Sequence, residues 1–95
     1  SVVAVFIQTQ ELNGKKVKVR GKVVKFSPNI MGRNWVHLQD GSGDPMNNTH
    51  DLVVTTTSQT STDTIIVIEG IAAAKKDFGF GYKYDALIEE AEIIQ

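Results

Sequence analysis

The chain has 95 residues, 22% of them charged and 41% hydrophobic, which fits one globular domain that buries a single core. The absence of cysteine excludes a disulfide framework and a thiolate metal site, and no apolar run is long enough to span a membrane. The formal net charge of −1 disfavours non-specific binding to polyanions. Because the chain begins with Ser1 rather than Met, we expect a processed or excised product of a longer precursor.

Charge is distributed unevenly along the chain. Seven basic residues and no acidic one lie in residues 15–33, whereas residues 84–95 carry acidic side chains and no basic one. The sequence therefore predicts a basic side and an acidic side of the fold, and the basic side can attract phosphates.

A single helix is predicted, over residues 3–12. Apolar residues recur there near helical spacing, and Asn13-Gly14 provides a stop. The many β-branched residues also allow a short strand over residues 2–7. We therefore divide this one domain into a helix or extension over residues 1–13 and a barrel over residues 14–95.

The clearest strand covers residues 15–26. Basic residues alternate there with valines, and Gly21 falls on the valine face, which indicates a bulge or a sharp bend. A long strand bent in its middle can belong to both halves of a small barrel. The opposite face is either a solvated strand face or a track for phosphates, and it comprises Lys16, Lys18, Arg20 and Lys22.

A second strand is predicted over residues 33–40, after a loop over residues 27–32 that contains Pro and Gly. The alternation predicts that Val36 and Leu38 face the core. The outer face then carries Trp35, His37 and Gln39. A flat polar and aromatic surface suits a planar partner such as a nucleobase. The alternative is that the indole packs against the next strand.

Three further strands are predicted at residues 52–57, 64–74 and 82–94. In the first of them, Leu52 and Val54 point inward, and Val53 and Thr55 point outward. The next strand is apolar on both faces, so it is covered on both sides or central. Five strands, one of them bent at a glycine, predict an all-β barrel, because closure removes exposed strand edges.

Several segments resemble OB-fold domains. The pattern of the anticodon-binding and single-strand-binding OB-folds is found in residues 14–23, in residues 35–43 with their D-G-x-G turn, and in residues 68–70. Residues 29–35 and 77–84 are similar to small bacterial OB-fold proteins, many of which are exported. The resemblance covers residues 12–94 and implies a five-stranded OB-fold barrel with a short N-terminal helix. One departure is that residues 58–63 are too short for the helix that often lies between the third and fourth OB strands.

The resemblance also implies where a ligand binds, namely on the second and third strands and on the loops after the first and fourth. Aromatic rings there stack on bases and basic side chains meet phosphates, which holds single strands with little sequence preference. The implied site comprises Arg33, Trp35, His37, Gln39, Thr55, Lys75, Lys76, Phe78, Phe80 and Tyr82. The alternative for the aromatic run in residues 78–84 is that it caps the open end of the barrel.

The sequence contains no catalytic or metal-binding pattern. It lacks a cysteine nucleophile, a G-x-S-x-G elbow, an H-E-x-x-H pair and a phosphate-cradling glycine loop. Glu89 and Glu90 are adjacent, so on a strand they point to opposite faces and cannot form a carboxylate pair. Residues 40–44 lack the ligand spacing of a calcium loop, and His37 and His50 have no carboxylate cluster at ligand spacing. We therefore expect binding without catalysis, cofactor or metal.

Two functions follow as hypotheses. The first is binding of single-stranded nucleic acid or an oligonucleotide. The second is an accessory role in the cell envelope, in which the same face binds a protein, a glycan or a small ligand. The resemblance to exported proteins implies the periplasm or cell envelope, with the cytoplasm as the alternative, and no oligomeric state is predicted.

Overall fold

The computed structural model describes residues 2–47, 49–77, 79 and 83–95. Within them, five β-strands form a closed barrel. The strands are β1 (Lys16–Ile30), β2 (Arg33–Gln39), β3 (Leu52–Thr56), β4 (Ile65–Asp77) and β5 (Lys83–Ile93). The prediction of an all-β chain with a five-stranded barrel is therefore confirmed.

The strands follow the order β1-β2-β3-β5-β4 around the barrel, and β4 pairs back to β1. Neighbouring strands are antiparallel except for β3 and β5, which run parallel. The parallel β3–β5 pair and the antiparallel β1–β4 pair both join the β1–β2–β3 meander to the β4–β5 hairpin, and together they close the sheet.

The longest strand, β1, takes part in both halves of the barrel. Its first part, from Lys16 to Lys22, pairs with β4, and its second part, from Lys22 to Ile30, pairs with β2. Gly21 lies at the changeover, where an added Cβ would be 3.2 Å from the carbonyl oxygen of Gln39. The predicted strand shared by both halves is confirmed, and the missing side chain permits this close backbone approach.

The predicted loop over residues 27–32 is wrong in most of its length. β1 continues to Ile30, and only Met31 and Gly32 turn the chain, with φ values of 53° and 76°. Pro28 is accommodated because this part of β1 pairs with β2 alone among the described strands, so one edge needs no N–H donor. β4 likewise extends beyond its predicted end.

Two short helical segments precede the barrel, α1 (Val2–Ile7) and α2 (Thr9–Leu12). They are separated by a turn, so the continuous helix predicted over residues 3–12 is not formed. The backbone N–H of Val2 donates to the Asp40 carboxylate at 2.9 Å, which ties α1 to the end of β2. No helical segment in the described ranges is long and apolar enough to cross a membrane.

The main core fills the interior of the barrel. Val36 and Leu38 from β2 and Leu52 and Val54 from β3 are all buried in it. Each such side chain stabilises the fold by about 1.5–3 kcal/mol when it is fully removed from water. The inward directions predicted for these two strands are therefore confirmed.

Candidate ligand-binding surface

The outer face of β2 carries the predicted stacking residue, Trp35, but its ring is covered. Trp35 is 4% exposed and packs with Val53, Ala73 and Leu87 in what we call the outer cluster. Val53 is opposite Leu87 of β5, which in turn is opposite Ala73 of β4. The expectation of an exposed indole is therefore wrong, and the alternative, packing against neighbouring strands, is confirmed.

Two further contacts hold the indole in place. Its Nε1 donates to the carbonyl oxygen of Ile30 at 2.9 Å. The Tyr84 ring centroid lies 5.7 Å from that of Trp35, with the planes tilted by 32°. Aromatic pairs in this range stabilise by about 0.5–1.5 kcal/mol beyond the area they bury. Trp35 therefore attaches the β1–β2 hairpin to β5.

Thr55, another residue of the predicted site, is also buried. It is the cross-strand partner of Trp35, and every residue of β3 is buried. The cause is the position of this short strand, which lies between β2 and β5 and is covered on the outside by the outer cluster. A ligand could contact the Thr55 side chain only if its neighbours moved, so the assignment of Thr55 as a ligand contact does not fit this arrangement.

His37 and Gln39 are half-buried, and both interact with the carboxylate of Asp51, which the sequence analysis did not single out. Nδ1 of His37 lies 2.8 Å from Oδ2 of Asp51. Burial alone would raise the pKa of Asp51, but hydrogen bonding and charge from His37, followed by contributions from Gln39 and His50, hold that pKa below its ordinary value. This face therefore carries a negative charge beside the predicted contact His37.

Two buried polar atoms lie next to this pair. Oδ1 of Asp51 and Nδ1 of His50 have no hydrogen-bond partner among the described residues. No group of three histidine, cysteine or acidic side chains in the described part of the chain is arranged to hold a metal ion. The described residues therefore offer no metal centre at this position.

Two predicted phosphate contacts, Arg33 and Lys76, are brought together on one carboxylate. Nη1 of Arg33 lies 3.6 Å from Oε2 of Glu89, and Nζ of Lys76 lies 3.4 Å from Oε1. The Glu89 side chain is 19% exposed, less than either cation. The three residues come from β2, β4 and β5, so no local sequence pattern links them.

Of the remaining predicted residues, Lys75 lies near the end of β4. Lys75 is exposed and has a φ of 51°. Phe78, Phe80 and Tyr82 lie outside the described residues, so stacking by their rings stays a prediction.

A groove opens on the outer side of β1. It has a volume of about 750 Å³, and its lining includes Lys18, Arg20, Lys22, Val24, Gln39, Asp40, Gly41 and Ile65, so that one carboxylate stands among three cations. We call it the β1 groove. Val24 and Ile65 expose apolar surface there. Of the predicted site residues in the described ranges, Gln39 alone lines the groove. The sequence signal that pointed to the groove was the basic stripe of the first strand.

Most of the cations in the β1 groove are available to a ligand. Nζ of Lys22 lies 3.5 Å from Oδ1 of Asp63, but both side chains are exposed, and such solvent-screened pairs contribute little. Within the described residues, no ion pair engages Lys18 or Arg20. The fourth member of the basic stripe, Lys16, is paired with Glu69 at 3.3 Å outside the groove.

Neither a model of a known protein family nor a curated protein sequence matches this chain. The functional conclusion therefore depends on the barrel, the outer face of β2 and the β1 groove.

Proposed function

We propose that the protein is a non-catalytic binding module of the OB type whose ligand is single-stranded nucleic acid. OB-folds are five-stranded Greek-key barrels that bind oligonucleotides. The strand order β1-β2-β3-β5-β4 and the shared strand β1 support this assignment, as does the sequence resemblance over residues 12–94. Because a fold alone does not imply a function, the choice of ligand depends on the charged surface.

The observation that carries the ligand class is the row of cations in the β1 groove. Lys18, Arg20 and Lys22 are alternate residues of one strand, so their side chains leave the same face about 6.6 Å apart. A stacked nucleic-acid strand rises about 3.4 Å per nucleotide. The row therefore matches every second phosphate of a stacked strand, or neighbouring phosphates of a stretched one.

The β1 groove suits phosphates better than bases. Its lining residues in the described part of the chain include no aromatic ring, and Val24 and Ile65 supply the apolar surface. Stacking of one base on an aromatic side chain contributes about 1–3 kcal/mol, which this groove does not provide. We expect weak binding that is independent of sequence and sensitive to salt.

Fluorescence anisotropy of a labelled oligothymidylate, measured between about 50 and 200 mM salt, tests the proposal. Each phosphate contact with a single strand contributes about −0.7 to the slope of log affinity against log salt, so three contacts give about −2. The double substitution Lys18→Ala/Arg20→Ala should weaken binding and reduce the slope to about −0.7.

Lys15→Ala/Lys25→Ala is the matched control, because it removes the same charge from two exposed lysines that do not line the groove. This control should keep most of the salt dependence. Equal losses in the two double variants would mean that net charge alone governs binding. Failure of the wild-type protein to bind at low salt would refute nucleic acid as the ligand.

A second function is favoured by the outer face of β2, namely an accessory module of the cell envelope that binds a protein, a glycan or a small ligand. Asp51 and Glu89 place carboxylates beside His37 and Arg33, and these negative charges repel phosphate. With soluble peptidoglycan fragments as the probe, this function predicts NMR shift changes at His37. Nucleic acid should instead affect Arg20 first.

A further inference from the structure

Glu89 lies at an irregular place in β5. The pairings of β5 with β3 and with β4 both shift beside it, and Glu90 has a φ of 52°. Bulges of this kind bend a strand and redirect its side chains. The Glu89 carboxylate thereby reaches cations on both β2 and β4.

Each oxygen of this carboxylate faces a different cation. Oε2 faces the Arg33 guanidinium at 3.6 Å, and Oε1 faces the Lys76 ammonium at 3.4 Å. A phosphate group uses the same two kinds of donor, through two of its own oxygens. Arg33 and Lys76 therefore form an anion site, and the anion in it is the Glu89 carboxylate.

A purely structural role for these ion pairs predicts a measurable contribution to stability. Both cations are partly exposed, however, and ion pairs in such surroundings contribute little to folding. Glu89 itself is only 19% exposed, so its carboxylate is held against both cations. Its charge acts directly on an incoming anion, because it lies beside both cations at once.

We infer that Glu89 is a specificity-determining residue that keeps Arg33 and Lys76 from binding phosphate and so leaves the β1 groove as the anion-binding surface. The inference rests on the proposed function for the identity of the natural ligand. The blocking itself does not depend on that ligand, since inorganic pyrophosphate can report it.

The arginine content of the chain permits a direct test. There are two arginines, Arg20 in the β1 groove and Arg33 beside Glu89. Their side-chain Nε–H signals in an NMR spectrum therefore report on the two surfaces separately. Pyrophosphate is titrated into the wild-type protein and into the Glu89→Gln and Glu92→Gln variants. Glu92 is the matched control, because it is an exposed glutamate of the same strand that no ion pair engages among the described residues.

The Arg33 signal should move saturably in Glu89→Gln and stay in place in the wild type and in Glu92→Gln. With oligothymidylate, Glu89→Gln should also steepen the salt slope by about 1.4, for two additional phosphate contacts. Glu92→Gln should leave that slope unchanged. An Arg33 signal that does not respond in Glu89→Gln, or that responds equally in the wild type, overturns the inference.

The outcomes separate the two proposals. If Arg33 responds in Glu89→Gln while Arg20 responds in no variant, the β1 groove is not the phosphate site, but the blocking role of Glu89 holds. If Arg20 responds and Arg33 responds in no variant, the β1 groove is the phosphate site and Glu89 has no blocking role. Glu89→Ala serves as a second variant, and loss of the folded spectrum in both variants would assign Glu89 to the fold and overturn the inference.

Discussion

Nδ1 of His37 and Oδ2 of Asp51 lie 2.8 Å apart, which connects the outer face of β2 to the residue just before β3. A carboxylate therefore stands on the face that the OB-fold resemblance implies for ligand binding. Glu89 does the same at the other end of that face, beside Arg33. Under the proposed function, we expect these two carboxylates to disfavour anionic ligands on this face.

The Asp51 carboxylate should make stability depend on pH in the acid range. Its pKa in the folded protein lies below the ordinary value of 3.8, so the unfolded chain takes up the proton more readily. Its stabilising effect is complete above pH 3.8 and is lost as the pH falls through the lower folded pKa. Asp51→Asn should lower the free energy of unfolding at neutral pH by about 1 kcal/mol. Urea denaturation at several pH values measures both effects.

Asp44→Asn is the control for this experiment. Asp44 is exposed, and its Oδ1 accepts a hydrogen bond from the N–H of Met46 at 2.9 Å, which an amide oxygen can also accept. The control should match the wild type in stability. If Asp51→Asn were equally stable at every pH, the contact with His37 would contribute nothing to folding.

Trp35 should behave as a packing residue. Trp35→Ala should lower the free energy of unfolding by about 3–5 kcal/mol, because it empties the centre of the outer cluster. Trp35→Phe should cost less, since it keeps a ring there and loses the donor to Ile30. Circular dichroism follows the unfolding, because Trp35 is the only tryptophan. Wild-type stability in Trp35→Ala would mean that the ring is exposed after all.

Gly70 should tolerate no side chain. An added Cβ would lie 2.6 Å from Cγ2 of Ile88 and 2.8 Å from the carbonyl oxygen of Glu89, so the backbone of β5 would have to shift. Gly70→Ala should destabilise the protein by about 1–3 kcal/mol. Gly21→Ala is the comparison, with a closest contact of 3.2 Å, and should cost less. Thermal unfolding ranks the two variants, and the opposite order would contradict this prediction.

Ile65→Glu should close the β1 groove to anions without removing any cation. Ile65 is 58% exposed, so the change in stability should stay within about 0.5 kcal/mol. The new carboxylate lies beside Lys22, its cross-strand neighbour, and should reduce oligothymidylate affinity severalfold. Met46→Glu makes the same charge change at a 91% exposed position outside the groove. Equal affinities of the two variants for oligothymidylate would show that Ile65 is not part of the binding surface.

Strand directions were predictable because they are local. Side chains alternate along a strand, so the sequence was enough to place Val36 and Leu38 inward and Trp35 on the other face. The sharing of β1 between two neighbouring strands was predictable for a similar reason, since Gly21 interrupts a regular run of valines. The position of the turn between β1 and β2 was not predictable, because Pro28 indicates a loop unless the strand that contains it is known to have an unpaired edge.

The candidate site was predictable only in part. The basic stripe is visible in the sequence, and two members of it line the β1 groove without ion-pair partners among the described residues. The covering of Trp35 was not visible, since Val53, Ala73 and Leu87 reach it from three other strands. The ion pairs of Glu89 were not visible either, since Arg33 lies on β2 and Lys76 on β4.

The sequence of this chain therefore sufficed for the number of strands, for the sharing of β1 between two neighbours and for the sides to which Val36, Leu38 and Trp35 point. Those properties depend on neighbours one or two positions away. Whether an outward residue meets water, another strand or an opposite charge depended on the parallel β3–β5 pairing and on closure of the barrel, which bring together residues that are far apart along the chain.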